Sequence, residues 1–451
     1  MSEHWSFAQN LALALLLFCI LGRFLAVGLE EVRGNANSSA YDQRSFLNLG
    51  LNIRAGKKLT DGNRHPLFPA LLALFARREW AYFTEAKLLS LGLGTLSLLL
   101  IFWLVRCLWG SGVALGVILL LSINQAFAHE SSHVLGEPLL VSLSFLAWCL
   151  TVRGFVRQQL WIAAGAVAGL AYLTKATGQL LPIAFLPTVL WVYGRGIRRA
   201  WRGVAGYVAA YGLVAAPLWA YNLACYGHPF YNYSTTHVMW FDRWEDKYAQ
   251  GPLPTLGSYL RTHSLAEMLS RQWAGLGGVL SMWAEAALPW GRRAGPWEIP
   301  PWWGALALAG LAAALAYGAH RARRDPRLAW AAYSGVLLLL LTLLFAWYAQ
   351  VYIAPRFLVP LVPILYLLGL GGMQWLARRL CQPQKEVPRI GLSVPPFGAG
   401  RLAGMGQQGR APSSGTGPLS AGSGAQCPGR EALRLAGGGD RARHGHPLGA
   451  Q

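Results

Sequence analysis

Long apolar runs recur through the first 380 residues of the chain, most of them separated by short polar links. A run of ~20 apolar residues spans a bilayer as a helix. On that measure the pattern predicts helices over roughly 7–28, 86–106, 112–128, 138–153, 160–174, 179–194, 203–222, 302–319, 328–348 and 357–376. The expected fold class is therefore an all-α polytopic membrane protein, a bundle of about ten transmembrane helices. A soluble helical protein would need too many helices that are apolar all round. The first run, Phe7 to Val27, is too long and wrongly flanked for a cleaved signal peptide, so it reads as the first span.

Arginines sort the links between runs. With an even number of spans, one set of links holds Arg106; Arg153 and Arg157; Arg195, Arg198, Arg199 and Arg202; Arg321, Arg323, Arg324 and Arg327; and Arg378 and Arg379. The positive-inside rule makes that side cytosolic. Two long segments then face outward, about 29–85 and about 223–301. Within the first, Pro66 to Phe75 is apolar but too short to cross, and reads as an interfacial or re-entrant helix.

Composition agrees. The chain is 54% hydrophobic and only 13% charged, against about 25% charged in soluble domains. The net charge of +20 would suggest nucleic acid in a soluble protein. Here the arginines set topology, no nucleic-acid motif is present, and nucleic acid is not an expected partner. Six cysteines without paired spacing read as small buried hydrophobes. From Cys381 the composition turns to Gly, Pro, Arg and Ser, and after Phe397 there is no Phe, Trp, Tyr, Ile or Val. The expected organisation is a membrane catalytic domain over 1–380 and a disordered tail over 381–451.

Ionisable groups beside apolar helices are costly and mark function. Asp42 lies in "YDQRSFLNLG", and Arg64 and His65 in "DGNRHPLFP". Glu130 and Glu137 lie at the end of the third span, Lys175 between two spans in "YLTKATG", and Arg356 in "APRFLVP". All fall on the outward side. Three cations with two or three carboxylates suit transfer from a phosphate: Arg and Lys hold the leaving group, and a carboxylate takes the acceptor's proton. Each residue also has a plain reading as a solvated acid, a helix cap or a snorkelling anchor. Their shared side is what favours function.

Five stretches in order resemble bacterial family-39-like glycosyltransferases of the GT-C superfamily, relatives of the protein O-mannosyltransferases and the lipid A aminoarabinose transferases. They are "YDQRSFLNLGLNIRAGKKLTDGNRHPLFPALLALFA", "GEPLLVSLSFLA", "GLAYLTKATGQLLP", "APLWAYNLACYGHPFY" and "PRFLVPLVPILYLL". The resemblance covers about 7–380 and implies a GT-C-like bundle. It also implies a multi-pass enzyme that moves a hexose or pentose from a polyprenyl-phosphate donor, with inversion, to a glycolipid, glycan or protein acceptor. The reaction would take place on the outer face of the plasma (inner) membrane. It aligns Asp42 and Glu137 with the family's acidic positions, as catalytic residues. Arg64, Lys175 and Arg356 align with cations near the donor phosphate. A divalent metal, if used, would draw on Asp42, His65 or an acid at the third-span end such as Glu130. Gln43 replaces a second acid found in many relatives, one proline follows His65, and Tyr221 stands where arginine is usual. The first two departures leave metal dependence open.

Two other classes compete. A transporter or flippase for a lipid-linked sugar predicts internal repeats and midplane charges, and neither is evident in the sequence. His129-Glu130-Ser131-Ser132-His133 matches the H-E-x-x-H pattern of zinc proteases. Such a protease needs a third ligand, usually an acid in a later span. Asp61 lies upstream in a polar loop, and none of the later predicted spans carries an acid.

Overall fold

The structure is a computed structural model that describes residues 7–248, 251–288, 293–294, 297–298 and 301–381. The predicted tail, 381–451, lies outside the described residues except for Cys381. The chain opens with α1 (Phe7–Gly34), then α2 (Gln43–Arg54) and the short α3 (Leu67–Ala73). It continues with α4 (Trp80–Trp109), α5 (Ser111–Ser122), α6 (Gln125–Ser132), α7 (Glu137–Gly154) and α8 (Leu160–Thr174). Next come α9 (Leu180–Tyr193), α10 (Trp201–Tyr226), the single turn α11 (Tyr233–Thr236) and α12 (Leu256–Thr262). The described chain closes with α13 (Leu265–Ala287), α14 (Pro301–Ala322), α15 (Ala329–Tyr348) and α16 (Val362–Cys381). Apart from a two-residue ladder, Arg293–Ala294 with Trp297–Glu298, the described residues hold no strand.

Every expected span falls on helix. By length and composition, five described helical segments can cross a membrane: α1, α4, Ala176–Tyr193, α10 and α15. The expected third span is broken. α5 and α6 meet at a 65° bend, and the pair makes a sixth crossing if counted as one. α8 and residues 359–374 are apolar but short of a full crossing. The chain is thus an all-α, multi-pass membrane protein, with several of the ten expected spans less than full crossings. The bend has a local cause. Asn124 leaves the helical conformation, its side chain accepts from Phe127 N to start α6, and its amide donates to Ala286 O and the Tyr366 hydroxyl.

Close approach and satisfied indoles hold the bundle. α8 lies against α10 through Gly165 and Gly169, where a Cβ would strike the Tyr207 carbonyl and the Val214 side chain respectively. A glycine every fourth residue lets two helices meet backbone to backbone. Trp148 and Trp161 are fully buried, with Nε1 donating to Ser334 Oγ and to Thr151 O.

Two of the segments between the expected spans carry structure of their own. The Pro66–Phe75 stretch forms α3, and its Phe68 and Leu72 are fully buried in a small core with Phe46, Leu47, Tyr82 and Phe83. The segment 223–301, read from sequence as a loop, contains α13, which packs on α15. Its buried residues, Arg271, Gly275, Val279, Trp283 and Ala286, form one stripe at helical spacing. Glu267, Arg271 and Gln272 broke its apolar run and hid it from a span search.

Candidate active site

The site is assembled where the segment between α1 and α4 meets the start of α7 and the 3₁₀ turns before α16. Tyr41 has a left-handed backbone, φ 55°, the one such non-glycine position among the described residues. The turn it makes starts α2 at Asp42, whose side chain makes no cap to the helix. The carboxylate is gripped by two arginines. Arg64 Nη2 lies 2.5 Å from Oδ1, and Arg356 Nη2 lies 3.3 Å from Oδ2. Arg64 also reaches Asp61 Oδ2 at 2.7 Å, while Asp61 Oδ1 accepts from the Asn63 and Arg64 backbone N–H groups. This fixes the Arg64 fork at both ends.

Arg356 sits in a single 3₁₀ turn, Pro355–Phe357. Its Nε and Nη1 are buried and make no hydrogen bond. The second ion pair lies alongside. Glu137 opens α7 and is 3% exposed, and Lys175, where α8 ends in an extended residue, places Nζ 2.6 Å from Glu137 Oε1. Lys175 Nζ and Arg356 Cζ stand 5.0 and 5.2 Å from the centre of one ring, Phe357. The structure therefore brings Asp42, Arg64, Arg356, Lys175 and Glu137 together from four separate stretches.

Charge in this cluster is strongly coupled. Burial alone would raise the Asp42 carboxyl, but Arg64 and then Arg356 outweigh it and hold it below the usual carboxylate range. Burial would likewise lower the Arg356 guanidinium, but Glu137, Glu130 and Asp42 raise it. Glu130 is buried in α6. Its Oε1 lies 3.5 Å from His129 Nδ1, and its Oε2 has no hydrogen-bond partner.

His65 does something other than the metal contact expected of it. Its buried ring donates from Nδ1 to Tyr172 O at 2.5 Å, and Nε2 faces the Asn232 amide at 3.4 Å. Burial pushes its pKa down to about 4, so at neutral pH the ring is uncharged. Both nitrogens are spent tying the segment between α1 and α4 to α8 and to residue 232. Glu130 is paired with His129 instead, and among the described residues no three of His, Cys, Asp and Glu converge on a metal site. With Asp42 held by arginines, this donor set does not suit a divalent ion, and no step below runs through one. His129 and His133 fare no better as zinc ligands. The helix ends at Ser132, and the two rings stack at 4.0 Å with Tyr41 edge-on to both.

Two supporting residues escaped the sequence reading as site residues. Gln43 is fully buried. It accepts from Asn35 Nδ2 and Val134 N, and donates to Asn37 O. It locks the Asp42 turn to the segment that leads into Glu137. Lys87 is buried too, and its Nζ donates to Val32 O and Asn35 O at the end of α1. A cation at those carbonyls suits the negative end of a helix. The only sequence signals were a lone amide beside Asp42 and a lysine inside an apolar run.

The sequence model of the family described as dolichyl-phosphate-mannose-protein mannosyltransferase matches residues 64–221. No curated protein matches. Among solved structures, the chain is similar to ArnT from Cupriavidus metallidurans bound to undecaprenyl phosphate. The match has 17% identity and a TM-score of 0.45, and covers 80% of this chain and 63% of that one. The chain thus spans less than two thirds of that protein's length. The matched family region carries Arg64, His65, Glu130, Glu137 and Lys175, while Asp42 and Arg356 lie outside it. Over residues 64–221 the chain is similar to the dolichyl-phosphate-mannose-protein mannosyltransferases, and the GT-C glycosyltransferase resemblance read in its sequence holds there.

Proposed function

We propose that the chain transfers a sugar from a polyprenyl-phosphate donor to a hydroxyl- or amine-bearing acceptor on the outer face of the plasma membrane, with inversion at the anomeric carbon. The observation that carries this reading is the grip of Arg64 and Arg356 on Asp42, beside Lys175. Three cations around a carboxylate match a site that must hold a phosphate and accept a proton. The family match over 64–221 supports the same chemistry. The distribution of arginine among the links supports the outer face.

In the resting arrangement the carboxylate occupies the arginines. The arriving donor phosphodiester, a monoanion, competes for the same forks, and Arg356 Nε and Nη1 are already without partners. Withdrawing the arginines toward phosphate raises the proton affinity of Asp42, as loss of a neighbouring cation must. The acceptor atom then attacks the anomeric carbon. Its bond to that carbon forms as the carbon–oxygen bond to phosphate breaks. The bonding pair leaves on the phosphate oxygen, and the acceptor proton passes to Asp42. Arg64, Arg356 and Lys175 stabilise the charge on the departing phosphate. Glu137 holds Lys175 in place at 2.6 Å.

The test is a transfer assay in membranes carrying the full chain, with radiolabelled polyprenyl-phosphate mannose and, in parallel, polyprenyl-phosphate aminoarabinose. Label appearing in a glycolipid, glycan or protein product supports the reading. Movement of intact donor between leaflets without transfer would contradict it and favour a flippase.

A further inference from the structure

A second recess lies apart from the ion pairs, in the segment between α11 and α13. It encloses about 320 Å³ and is lined by Trp240, Asp242, Asp246, Ser258, Thr262 and His263, among others. Its chemistry is opposite to that of the first site. There, cations gather. Here, two carboxylates face the space with an indole and an imidazole.

The wall is rigidly built. Arg271 is buried behind it, with Nε donating to Trp347 O, Nη1 to the Tyr259 hydroxyl and Nη2 to Met239 O. The same guanidinium lies 4.6 Å from the Trp347 ring centre and 3.6 Å from Asp242 Oδ1. His263 stacks on Tyr259 at 3.8 Å and points Nε2 at Asp242 Oδ1, 3.3 Å away. Asp246 is anchored through Oδ2, which accepts from the Asp242 and Arg243 backbone N–H groups. Each carboxylate is tied down through one oxygen, and Asp242 remains 58% exposed.

The geometry points to a saccharide pocket. A volume near the lower end of the ~300–1,000 Å³ range of ligand sites fits one or two sugar rings. Carboxylate oxygens accept from sugar hydroxyls, and the indole of Trp240 offers an apolar surface to a ring's C–H face. The two carboxylates repel phosphate, so the charged donor head is directed to the cationic site and a neutral polyhydroxyl ligand to this one. Among the described residues no three His, Cys, Asp or Glu side chains converge here. Trp244, two residues after Asp242 but not itself in the lining, lies 5.8 Å from Tyr352, and Tyr352 lies 5.8 Å from Phe357, the ring under Lys175 and Arg356. The role that follows is to hold the sugar of a glycan or glycolipid acceptor. That role rests on the glycosyltransferase reading; the binding itself does not.

The test measures binding without transfer. The full chain, purified in detergent, is titrated with methyl α-mannoside, methyl β-glucoside and diacetylchitobiose and followed by saturation-transfer NMR. At least one probe is expected to bind. Asp242→Asn keeps the side chain's shape and should weaken binding ~10-fold or more by removing a charged acceptor. Trp240→Leu should do the same, and Asp42→Ala should leave binding intact. Failure of all three probes to bind wild type, or binding lost in Asp42→Ala and kept in Asp242→Asn, overturns the pocket. Intact sugar binding in a chain that transfers nothing would contradict the glycosyltransferase reading and leave the pocket standing.

Discussion

Arg356 reaches Asp42 at 3.3 Å through Nη2 alone, and leaves Nε and Nη1 buried without a hydrogen bond. Buried guanidinium nitrogens without a partner are costly and rare. In the proposed reaction they are the contacts kept for the donor phosphate. Arg356→Lys keeps the charge but loses the fork. The expected result is a donor KM raised ~10- to 100-fold, the loss of one charge-assisted hydrogen bond or more, with the acceptor KM unchanged. Equal effects on both substrates would place Arg356 outside donor binding.

Lys175 and Glu137 form the most enclosed ion pair of the site, 2.6 Å apart with Glu137 nearly inaccessible. Removing one partner of such a pair leaves a buried charge uncompensated, at a cost of about 3–5 kcal/mol. Lys175→Ala is therefore expected to lower the melting temperature of the purified protein markedly. Adding Glu137→Gln should recover most of that stability without recovering transfer. Thermal unfolding of the single and double variants checks this, and recovered transfer in the double variant would remove Lys175 from the donor site.

Gln43 stands next to Asp42 and serves acceptors and donors at once. Gln43→Glu keeps the shape but points a carboxylate at Asn37 O and loses the amide donor. The expected cost is about 1–3 kcal/mol, that of an unsatisfied buried group, with transfer falling in step as the Asp42 turn loosens. Unfolding midpoints together with transfer rates decide it. A Gln43→Glu chain as stable as wild type would show that the amide's donor is dispensable.

His65 supplies a pH signature. Its folded pKa of about 4 lies below the ordinary 6.5. Between those values the unfolded chain takes up a proton that the folded ring refuses, so the unfolded state binds more protons. The stabilising contribution is complete above 6.5 and is lost as pH falls toward 4. Melting temperatures recorded from pH 7.5 to 4.5 should drop for wild type and drop less for His65→Asn. Parallel curves for the two chains would contradict the buried neutral histidine.

The bundle was legible because apolar runs announce membrane helices one at a time, and every expected span falls on helix. The 65° bend between α5 and α6 was not, because a polar Asn124 inside an apolar run does not say that its side chain will cap a new helix. α13 was hidden because its apolar stripe is diluted by charge, and one-sided burial needs a neighbour, α15, that only the fold supplies. Asp42, Arg64, Glu137, Lys175 and Arg356 stood out as charges beside apolar runs, and they do meet. Their pairing was beyond reach of the sequence, since contacts such as Asp42 to Arg356 depend on long-range packing. For His65 and Glu130 the sequence showed ligand-type side chains near a site and not their neighbours: His65 hydrogen-bonds Tyr172 O, and Glu130 Oε1 lies 3.5 Å from His129 Nδ1.

The account turns on Asp42 as the proton acceptor between two arginines. The most direct test is the transfer rate of Asp42→Asn in membranes supplied with labelled polyprenyl-phosphate sugar. The amide keeps the shape and cannot take the proton. A loss of ~10²- to 10⁴-fold, the usual worth of general-base catalysis, with donor binding retained, is the predicted result. Transfer at the wild-type rate would contradict the account.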